Sequence, residues 1–278
     1  GPVDYDVLVE YDNGTEDIVE LGTGLFRWIN KYLMRPLFML LINSGMNLAL
    51  AILLLTIIVK LILSPVNYKM YKSSAMMKVL KPQIEKISKK YPKKEDAMKK
   101  QQETMALYRE TGVSPLAGCI PMLIQMPILF AIFRLFPSAI ELRQKTFLWA
   151  EDLSTYDSIL NIGFDIPFYG DHVSLFPILA SIAIFFYMKM TTGQQMASQP
   201  TQEGMPDMQK MMKYMIYFSP LMMLFFFNQY ESGLSLYYFV SNTLMIGIML
   251  VIKNYILDED KIHAKMQENK KKPKKQNR

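Results

Sequence analysis

Five long apolar blocks set the strongest limit on what this chain can fold into. Each block is about 17 to 21 residues long, the length that a helix rising ~1.5 Å per residue needs to cross ~30 Å of hydrocarbon. The blocks are Met46–Val66, Leu116–Phe136, Val173–Met190, Met211–Phe227 and Leu234–Ile252. A soluble domain of 278 residues would not need five such blocks. The pattern predicts an all-α polytopic membrane protein with five transmembrane helices.

The basic residues between these blocks predict the orientation of the chain. If the blocks cross the membrane in turn, 24 of the 31 Lys and Arg residues fall on one side and five on the other, and Lys60 and Arg134 lie within spans. Because cytoplasmic loops of inner-membrane proteins carry the excess of Lys and Arg, the tail and the Lys-rich loop are expected in the cytoplasm. The N-terminus is expected outside. The basic isoelectric point is therefore mainly a topology signal.

The blocks and the charges together predict the organisation of the chain. Gly1-Pro2 is typical of a protease-cleavage scar, and the acidic stretch 3–20 is expected to be a strand remnant or a flexible lead from an upstream region. The five predicted spans are 46–67, 115–137, 172–190, 211–228 and 234–256. The predicted outer segments are a lead at 1–24, an interfacial amphipathic helix at 25–45, a loop at 138–171 and a turn at 229–233. The predicted cytoplasmic segments are a helical hairpin at 68–114, a loop at 191–210 and a basic tail at 257–278.

Two segments outside the spans have helical periodicity. The segment 25–45 mixes apolar and basic residues and is expected to lie in the outer interface, with the alternative that it only begins the first span. In the Lys-rich loop, one apolar stripe follows 3-4-3-4 spacing, a Pro breaks it after Tyr91, and a second stripe carries Met98, Met105 and Tyr108. This loop is read as a protruding hairpin, and the alternative is a charged, passive loop. Five of its lysines are candidate contacts for a negatively charged partner: Lys86, Lys89, Lys90, Lys93 and Lys94.

Lys60 is the residue that most needs an explanation. A charge inside a span costs roughly 2.5–3.5 kcal/mol near the bilayer centre, so Lys60 either extends its stem to the inner interface or faces a hydrated cavity. Its neighbours Thr56, Ser64 and Asn67 fall on the same helix face, which favours a cavity. Candidate groove residues on other spans are Gln125, Tyr238 and Asn242. Hydrogen bonds between spans are a competing explanation for Gln125 and Asn242.

The sequence gives little support for other kinds of chemistry. A single cysteine, Cys119, excludes an internal disulfide and a cysteine-based zinc cluster. There is no phosphate-binding GxxxxGK[ST] loop, and neither His172 nor His263 belongs to a metal motif. The methionines near the fourth span could in principle bind Cu(I), but packing against varied apolar partners explains them better. No catalytic residue, cofactor or metal is predicted. The methionines concerned are Met205, Met208, Met211, Met212 and Met215.

Four stretches of the chain resemble the YidC-type membrane protein insertases of bacteria. They are TIIVKLILSP (Thr56–Pro65), ALYRETGVSPLAGCIPMLIQMP (Ala106–Pro127), ELRQKTFLWAEDLS (Glu141–Ser154) and SGLSLYYFVSN (Ser232–Asn242). The resemblance covers about Leu25 to Ile256, which includes all five blocks. It implies a hydrophilic groove that opens to the cytoplasm and to lipid and is closed on the outer side. A single positive residue in that groove attracts a client's polar tail. The family usually has Arg at this position, and here it is Lys60, which keeps the charge but loses the bidentate fork.

The resemblance implies an insertase and chaperone of the bacterial inner membrane that works without ATP. Its expected partners are nascent membrane-protein clients, the ribosome through the basic tail and loops, a Sec-type translocon and membrane lipids. The five hairpin lysines listed above are the expected contacts for clients and ribosomes, and the protein is expected to act as a monomer. Some members also have an extra first span and a large outer domain, and residues 3–20 are expected to be the remnant left where such an upstream region was removed. The alternative function is a small-anion transporter or channel that uses Lys60 as its binding charge. An intramembrane enzyme is disfavoured because no nucleophile and base are paired within the spans.

Overall fold

The structure of the 278-residue chain is a computed structural model. It describes residues 5–11, 19, 21, 23–92, 94–113, 120–196 and 208–256, with isolated positions at 264 and 267. The helices are α1 (Tyr5–Glu10), α2 (Leu25–Ile29), α3 (Arg35–Asn43), α4 (Leu48–Lys90), α5 (Ala97–Thr111), α6 (Ile120–Ser138), α7 (Leu175–Met196), α8 (Met208–Phe227) and α9 (Ser232–Val251). The chain divides into two compact units, one formed by residues 1–62, 122–185 and 219–245 and the other by residues 63–121, 186–218 and 246–278.

Short segments of tighter or wider helix complete these elements. A π-helical turn, Asn30–Met34, joins α2 to α3, and a second one, Ile252–Ile256, follows α9. Two 3₁₀ turns, Lys94–Asp96 and Ile140–Leu142, precede α5 and follow α6.

Two helices in the described part of the chain are long and apolar enough to cross a membrane. They are α4 and the continuous helix Ser232–Ile256 formed by α9 and its π turn. Three shorter apolar helices lie at Leu123–Ser138, Leu175–Thr191 and Lys213–Phe227, where the sequence predicts the other spans. The structure is therefore a mostly helical one with two candidate spans, and the five-span arrangement stays a prediction.

Helix α4 continues well beyond the predicted first span. It runs for 43 residues through Pro65 and Pro82, a length of ~65 Å at ~1.5 Å per residue. The sequence analysis placed a boundary at residue 67, where the composition changes from apolar to basic. A proline inside a helix removes one backbone hydrogen bond without always ending the helix. The apolar and basic segments are consequently two parts of one helix.

The second unit holds two apolar clusters. In one, Met77, Leu80, Ile84 and Ile87 from α4 pack with Leu107 and Tyr108 from α5 and with Val113. In the other, Met70 and Tyr71 of α4 pack with Met249 and Ile252. The predicted stripe on α4 supplies its apolar positions to the first cluster.

The predicted stripe on α5 is wrong for two of its three residues. Met98 is 70% exposed and Met105 is also exposed, whereas Leu107 and Tyr108 are buried. Thr104 and Thr111 are buried beside them, and each hydroxyl donates to the carbonyl four residues earlier. Because threonine can satisfy its hydroxyl on its own helix, it can occupy a buried face that the sequence analysis assigned to methionine.

The core of the first unit contains three large aromatic side chains. Phe136 of α6 lies between Phe38 of α3 and Tyr237 of α9, with ring centroids 6.2 Å and 6.1 Å away, and all three are buried. Asn30, in the π-helical turn, donates from Nδ2 to the carbonyl of Ala131 on α6, 2.7 Å away. These contacts fix the π-helical turn and α3 against α6, while Trp28 and Tyr32 are exposed.

Two elements differ from the all-α prediction. An antiparallel hairpin, β1 (Ser158–Ile166) and β2 (Gly170–Ser174), occupies the second half of the predicted outer loop and the first three residues of the predicted third span. The alternation of β-branched and aromatic residues in β1, which is typical of a strand, is the sequence signal for it. The second difference is α1, because the acidic lead was expected to be a strand remnant or flexible. Tyr5 and Leu8 are three residues apart and both buried, so one helical turn uses them on the same face.

Candidate functional site

Lys60 is buried in the first unit near the middle of the apolar part of α4. Its side chain is 4% exposed, and its ammonium donates to Oε1 of Gln125 on α6 at 3.3 Å. The helix face that carries Lys60 also carries Ile52 and Thr56, both fully buried. The i, i+4 spacing of Thr56 and Lys60 thus places a cation on the packed side of the helix rather than on its exposed side.

The hydrogen-bond partner of Lys60 is neutral, so it does not balance the positive charge of the ammonium group. An ammonium has three donors, and the one described bond goes to a neutral amide oxygen. Within the described residues, no carboxylate lies within ion-pair distance of Lys60. Because a buried charge is stable only when it is paired and hydrogen-bonded, the arrangement favours any anionic group that can reach the ammonium.

The other predicted groove residues have contacts of their own. The Thr56 hydroxyl donates to the carbonyl of Ile52 at 2.7 Å, within α4. Asn242 donates from Nδ2 to the carbonyl of Tyr238 at 2.7 Å, within α9.

Tyr238 is buried, and its ring lies 5.0 Å from that of Phe227 and 5.6 Å from that of Tyr237. Ser64 is half-buried on α4 in the second unit. The described contacts therefore join Lys60 directly to Gln125 alone among the predicted groove residues.

The predicted hairpin lysines differ in their surroundings. Lys86, Lys89 and Lys90 on α4 are exposed. Lys90 pairs with Glu103 of α5 at 3.0 Å, and this hydrogen bond raises the pKa of the Lys90 ammonium and lowers the pKa of the Glu103 carboxyl. Lys93 lies outside the described residues, and only the backbone of Lys94 is described, in a 3₁₀ turn. Lys86 and Lys89 are consequently better placed than Lys90 to meet an anionic partner.

A buried carboxylate that the sequence analysis did not single out holds the start of α7. Oδ2 of Asp157 accepts hydrogen bonds from the Trp149 indole at 2.7 Å and from the backbone N–H groups of Leu175 and Phe176 at 3.0 and 2.8 Å. Burial raises the pKa of the Asp157 carboxyl, against the opposing effect of these donors. Asp157 lies 18 residues before the helix it caps, so no local capping pattern reveals it.

A second network on the same side centres on Asn228, which follows α8. Its backbone carbonyl accepts from Nε2 of His172 at 2.8 Å, and its Oδ1 accepts from the backbone N–H of Ser174 at 2.9 Å. Its Nδ2 donates to the carbonyls of Tyr169 and His172, each at 2.8 Å. Every polar atom of this side chain is used to fasten β2 to the end of α8. Isolated polar residues such as these carry no spacing signal in a sequence.

The described part of the chain has no cluster of side chains that could bind a metal ion. No group of three or more His, Cys, Asp or Glu side chains there could hold a metal ion. Of the methionines considered above, Met205 lies outside the described residues, and Met211 and Met215 are exposed on α8.

Comparison with known proteins gives one consistent match. The family model of the 60Kd inner membrane protein matches residues 39–260. A protein named membrane protein insertase YidC from Parabacteroides distasonis is 48% identical over 98% of this chain, and one from Bacteroides fragilis is 46% identical over 99%. A third, from Phocaeicola vulgatus, is 50% identical over 88% of the chain. The chain spans 44%, 44% and 38% of the length of these relatives, less than half in each case.

Proposed function

Because the chain belongs to the 60Kd inner membrane protein family, as relatives named membrane protein insertase YidC do, we propose that it inserts client proteins into the bacterial inner membrane. In this proposal it moves short polar or acidic tails of clients across the membrane through a hydrophilic groove and releases their apolar spans into lipid. It uses no ATP, and it acts as a chaperone for the client during transfer. The comparisons do not favour the alternative of a small-anion transporter.

The proposed topology has five spans, with the N-terminus outside and the C-terminus in the cytoplasm. The spans correspond to the apolar part of α4 and to α6, α7, α8 and α9. The second part of α4 and α5 then form the cytoplasmic hairpin, and β1 and β2 lie on the outer side. The distribution of Lys and Arg along the chain supports this orientation.

Buried Lys60 is the observation that carries the proposed mechanism. A tail that enters a groove must give up water around its carboxylate, and this desolvation opposes transfer. An ammonium ~4 Å away offsets about 4 kcal/mol of that cost at an effective dielectric of ~20. Gln125 holds the ammonium by a bond to a neutral oxygen, which an anionic tail can replace with a stronger, charge-assisted one. Thr56, Ser64, Tyr238 and Asn242 complete the proposed groove wall.

Two further terms drive the client outward and into lipid. The membrane potential favours moving an anion to the outer side by about 2.3 kcal/mol per charge per 100 mV. Burial of the client's span contributes about 0.8 kcal/mol per CH₂ group. Summed over a span, the second term is the larger one, so transfer of the tail and burial of the span can proceed together without a nucleotide.

The cytoplasmic lysines are the proposed receiving surface for clients and ribosomes. Lys86, Lys89, Lys90, Lys93 and Lys94 lie around the turn between α4 and α5, and the basic tail 257–278 adds further positive charge. Clustered Lys residues attract polyanions such as ribosomal RNA and anionic lipid headgroups. We further propose that one copy of the chain suffices for insertion and that it can act beside a Sec-type translocon.

Charge reversal at the groove tests the proposed role of Lys60. Lys60→Glu should impair insertion of a single-span client with an Asp-containing tail and improve insertion of the same client with Lys in the tail. Lys81→Glu, which reverses an exposed charge on the same helix outside the proposed groove and receiving surface, serves as the control and should leave this preference unchanged. If Lys60→Glu changes insertion of both clients equally, the charge of Lys60 has no role in selecting tails.

A further inference from the structure

Two apolar residues on the proposed outer side combine high exposure with an unfavourable backbone. Leu148 is 70% exposed and Phe168 is 83% exposed. Among the described residues, only three that are not glycine have a positive φ, and two of them are Leu148 at +54° and Phe168 at +67°. Positive φ is rare for large side chains, and exposure of a Leu or Phe to water is also unfavourable. Folding alone accounts for neither residue.

The first tip is the turn that contains Leu148. Phe147 and Ala150 exchange two backbone hydrogen bonds of 2.9 Å, so Leu148 and Trp149 form a two-residue hairpin loop. The first position of such a loop ordinarily holds Gly, Asn or Asp. The rings of Phe147 and Trp149 lie 6.3 Å and 4.5 Å from that of Phe176 in the first turn of α7. This contact fixes Leu148 at the level where α7 begins.

The second tip is the turn of the β1–β2 hairpin. Phe168 lies between Pro167 and Tyr169, and the Tyr169 ring lies 5.4 Å from that of Phe225 near the end of α8. The carbonyl of Tyr169 accepts a hydrogen bond from Asn228, directly after α8. Phe168 is therefore fixed at the level where α8 ends, just as Leu148 is fixed where α7 begins.

We propose that Leu148 and Phe168 are lipid-insertion tips, which enter the interfacial layer of the outer leaflet and hold the outer ends of α7 and α8 there. The proposal rests on the five-span topology given above, in which both helix ends reach the outer surface of the membrane. Both tips continue the apolar surface of those helices into the interface, where amphipathic aromatic rings such as Trp149 are favoured.

Charge near the first tip also suits a phospholipid surface. Arg143 and Lys145 are exposed shortly before Leu148 and can meet lipid phosphates while the leucine enters the acyl boundary. Near the second tip the exposed charges are Asp165 and Asp171, so Phe168 must enter through its apolar ring alone. Zwitterionic lipid satisfies both tips, because it presents phosphates to the cations without a net negative surface that would repel the carboxylates.

Site-specific fluorescence in lipid nanodiscs tests this inference. Single cysteines replace Leu148, Phe168 or Ser158 in a Cys119→Ser background and carry an environment-sensitive label. Ser158 is exposed on β1 of the same hairpin and is the matched control. Nanodiscs of phosphatidylcholine contain lipids spin-labelled near the headgroup, and iodide is the aqueous quencher. Labels at 148 and 168 should be quenched by the lipid several-fold more strongly, and by iodide several-fold less, than the label at 158.

One additional labelled position keeps the outcomes distinct. A label at Ile182, exposed midway along α7, reports whether α7 spans the bilayer. Lipid quenching at 182 together with iodide quenching at 148 and 168 would overturn the tips and leave the topology standing, whereas no lipid quenching at 182 would overturn both. Protection of the tips that appears only when two copies share a nanodisc would also overturn the inference, in favour of a contact between copies.

A glycine variant separates lipid contact from folding. Leu148→Gly and Phe168→Gly remove the side chains at positions where glycine is favoured by the backbone. The melting temperature in detergent should be kept or raised. In nanodiscs, Trp149 in a Trp28→Phe background should be quenched more strongly by iodide in the double glycine variant than in the same chain with Leu148 and Phe168, because the loop loses its hold on the membrane. Equal iodide quenching of Trp149 in the two chains would contradict the proposal.

Discussion

Replacing Asp157 with Ala should destabilise the outer end of α7 strongly. One carboxylate oxygen of this buried residue satisfies three donors, namely the Trp149 indole and the first two N–H groups of the helix. Each buried donor that loses its acceptor costs about 1–3 kcal/mol, and loss of a helix N-cap by itself costs about 0.5–2 kcal/mol.

The expected size of the effect follows from these terms and one that opposes them. Burial disfavours the charged carboxylate, as the raised pKa of Asp157 shows, so its removal returns part of the loss. We expect a net destabilisation of about 3 kcal/mol for Asp157→Ala. Asp157→Asn keeps an acceptor oxygen for the same donors and should cost less than about 1 kcal/mol.

Trp149 itself reports the outcome. The chain has two tryptophans, and Trp28→Phe leaves Trp149 as the sole source of indole fluorescence. Thermal unfolding in detergent micelles, followed at Trp149, should show a clearly lower transition for Asp157→Ala than for Asp157→Asn. Its emission in the folded state should also shift, because the indole N–H loses its partner. Equal transitions for the two variants would refute the capping role.

Three other expectations concern stability. Leu80→Ala in the cluster of α4 and α5 should cost about 2–5 kcal/mol and speed amide exchange there, while Met98→Ala, at an exposed site, should not. Arg35→Met leaves the largely buried Glu141, whose side chain is 14% exposed, without the partner that lies 3.4 Å away and should cost about 3–5 kcal/mol, as a loss of melting temperature that adding Glu141→Gln largely restores. Finally, because the pKa of Asp157 is raised in the folded state, its stabilising contribution is greatest below the usual Asp pKa near ~3.9 and falls as the pH rises through the folded pKa. A pH series should therefore show wild type losing stability relative to Asp157→Asn over that range, and a difference that does not change with pH would contradict this.

Much of the helical organisation can be predicted from this sequence, because apolar spacing is a direct consequence of burial. Met77, Leu80, Ile84 and Ile87 repeat at helical intervals, and each is buried in the structure. The boundary predicted at residue 67 is wrong, because it followed a change in composition, and a helix can continue through such a change. Helix α4 runs on through Pro65 and Pro82 to Lys90.

The candidate site shows the same division. Lys60 stands out in the sequence because a cation within an apolar block is costly. Gln125, a polar residue predicted to lie in the same groove, is its hydrogen-bond partner in the structure. Asp157 and Asn228 could not be found in this way. Their partners lie 8 to 59 residues away in the chain, and an isolated Asp or Asn has the same appearance whether it is solvated or at the centre of a network.

Insertion into liposomes tests the central claim most directly. A single-span client with a short acidic N-tail is added to liposomes that contain the wild-type chain, Lys60→Arg or Lys60→Ala. We expect the wild-type chain and Lys60→Arg to insert far more client than empty liposomes take up, and Lys60→Ala to lose most of this activity. Equal insertion by Lys60→Ala would contradict the charged groove, and no insertion by the folded wild-type chain would contradict the proposed function itself.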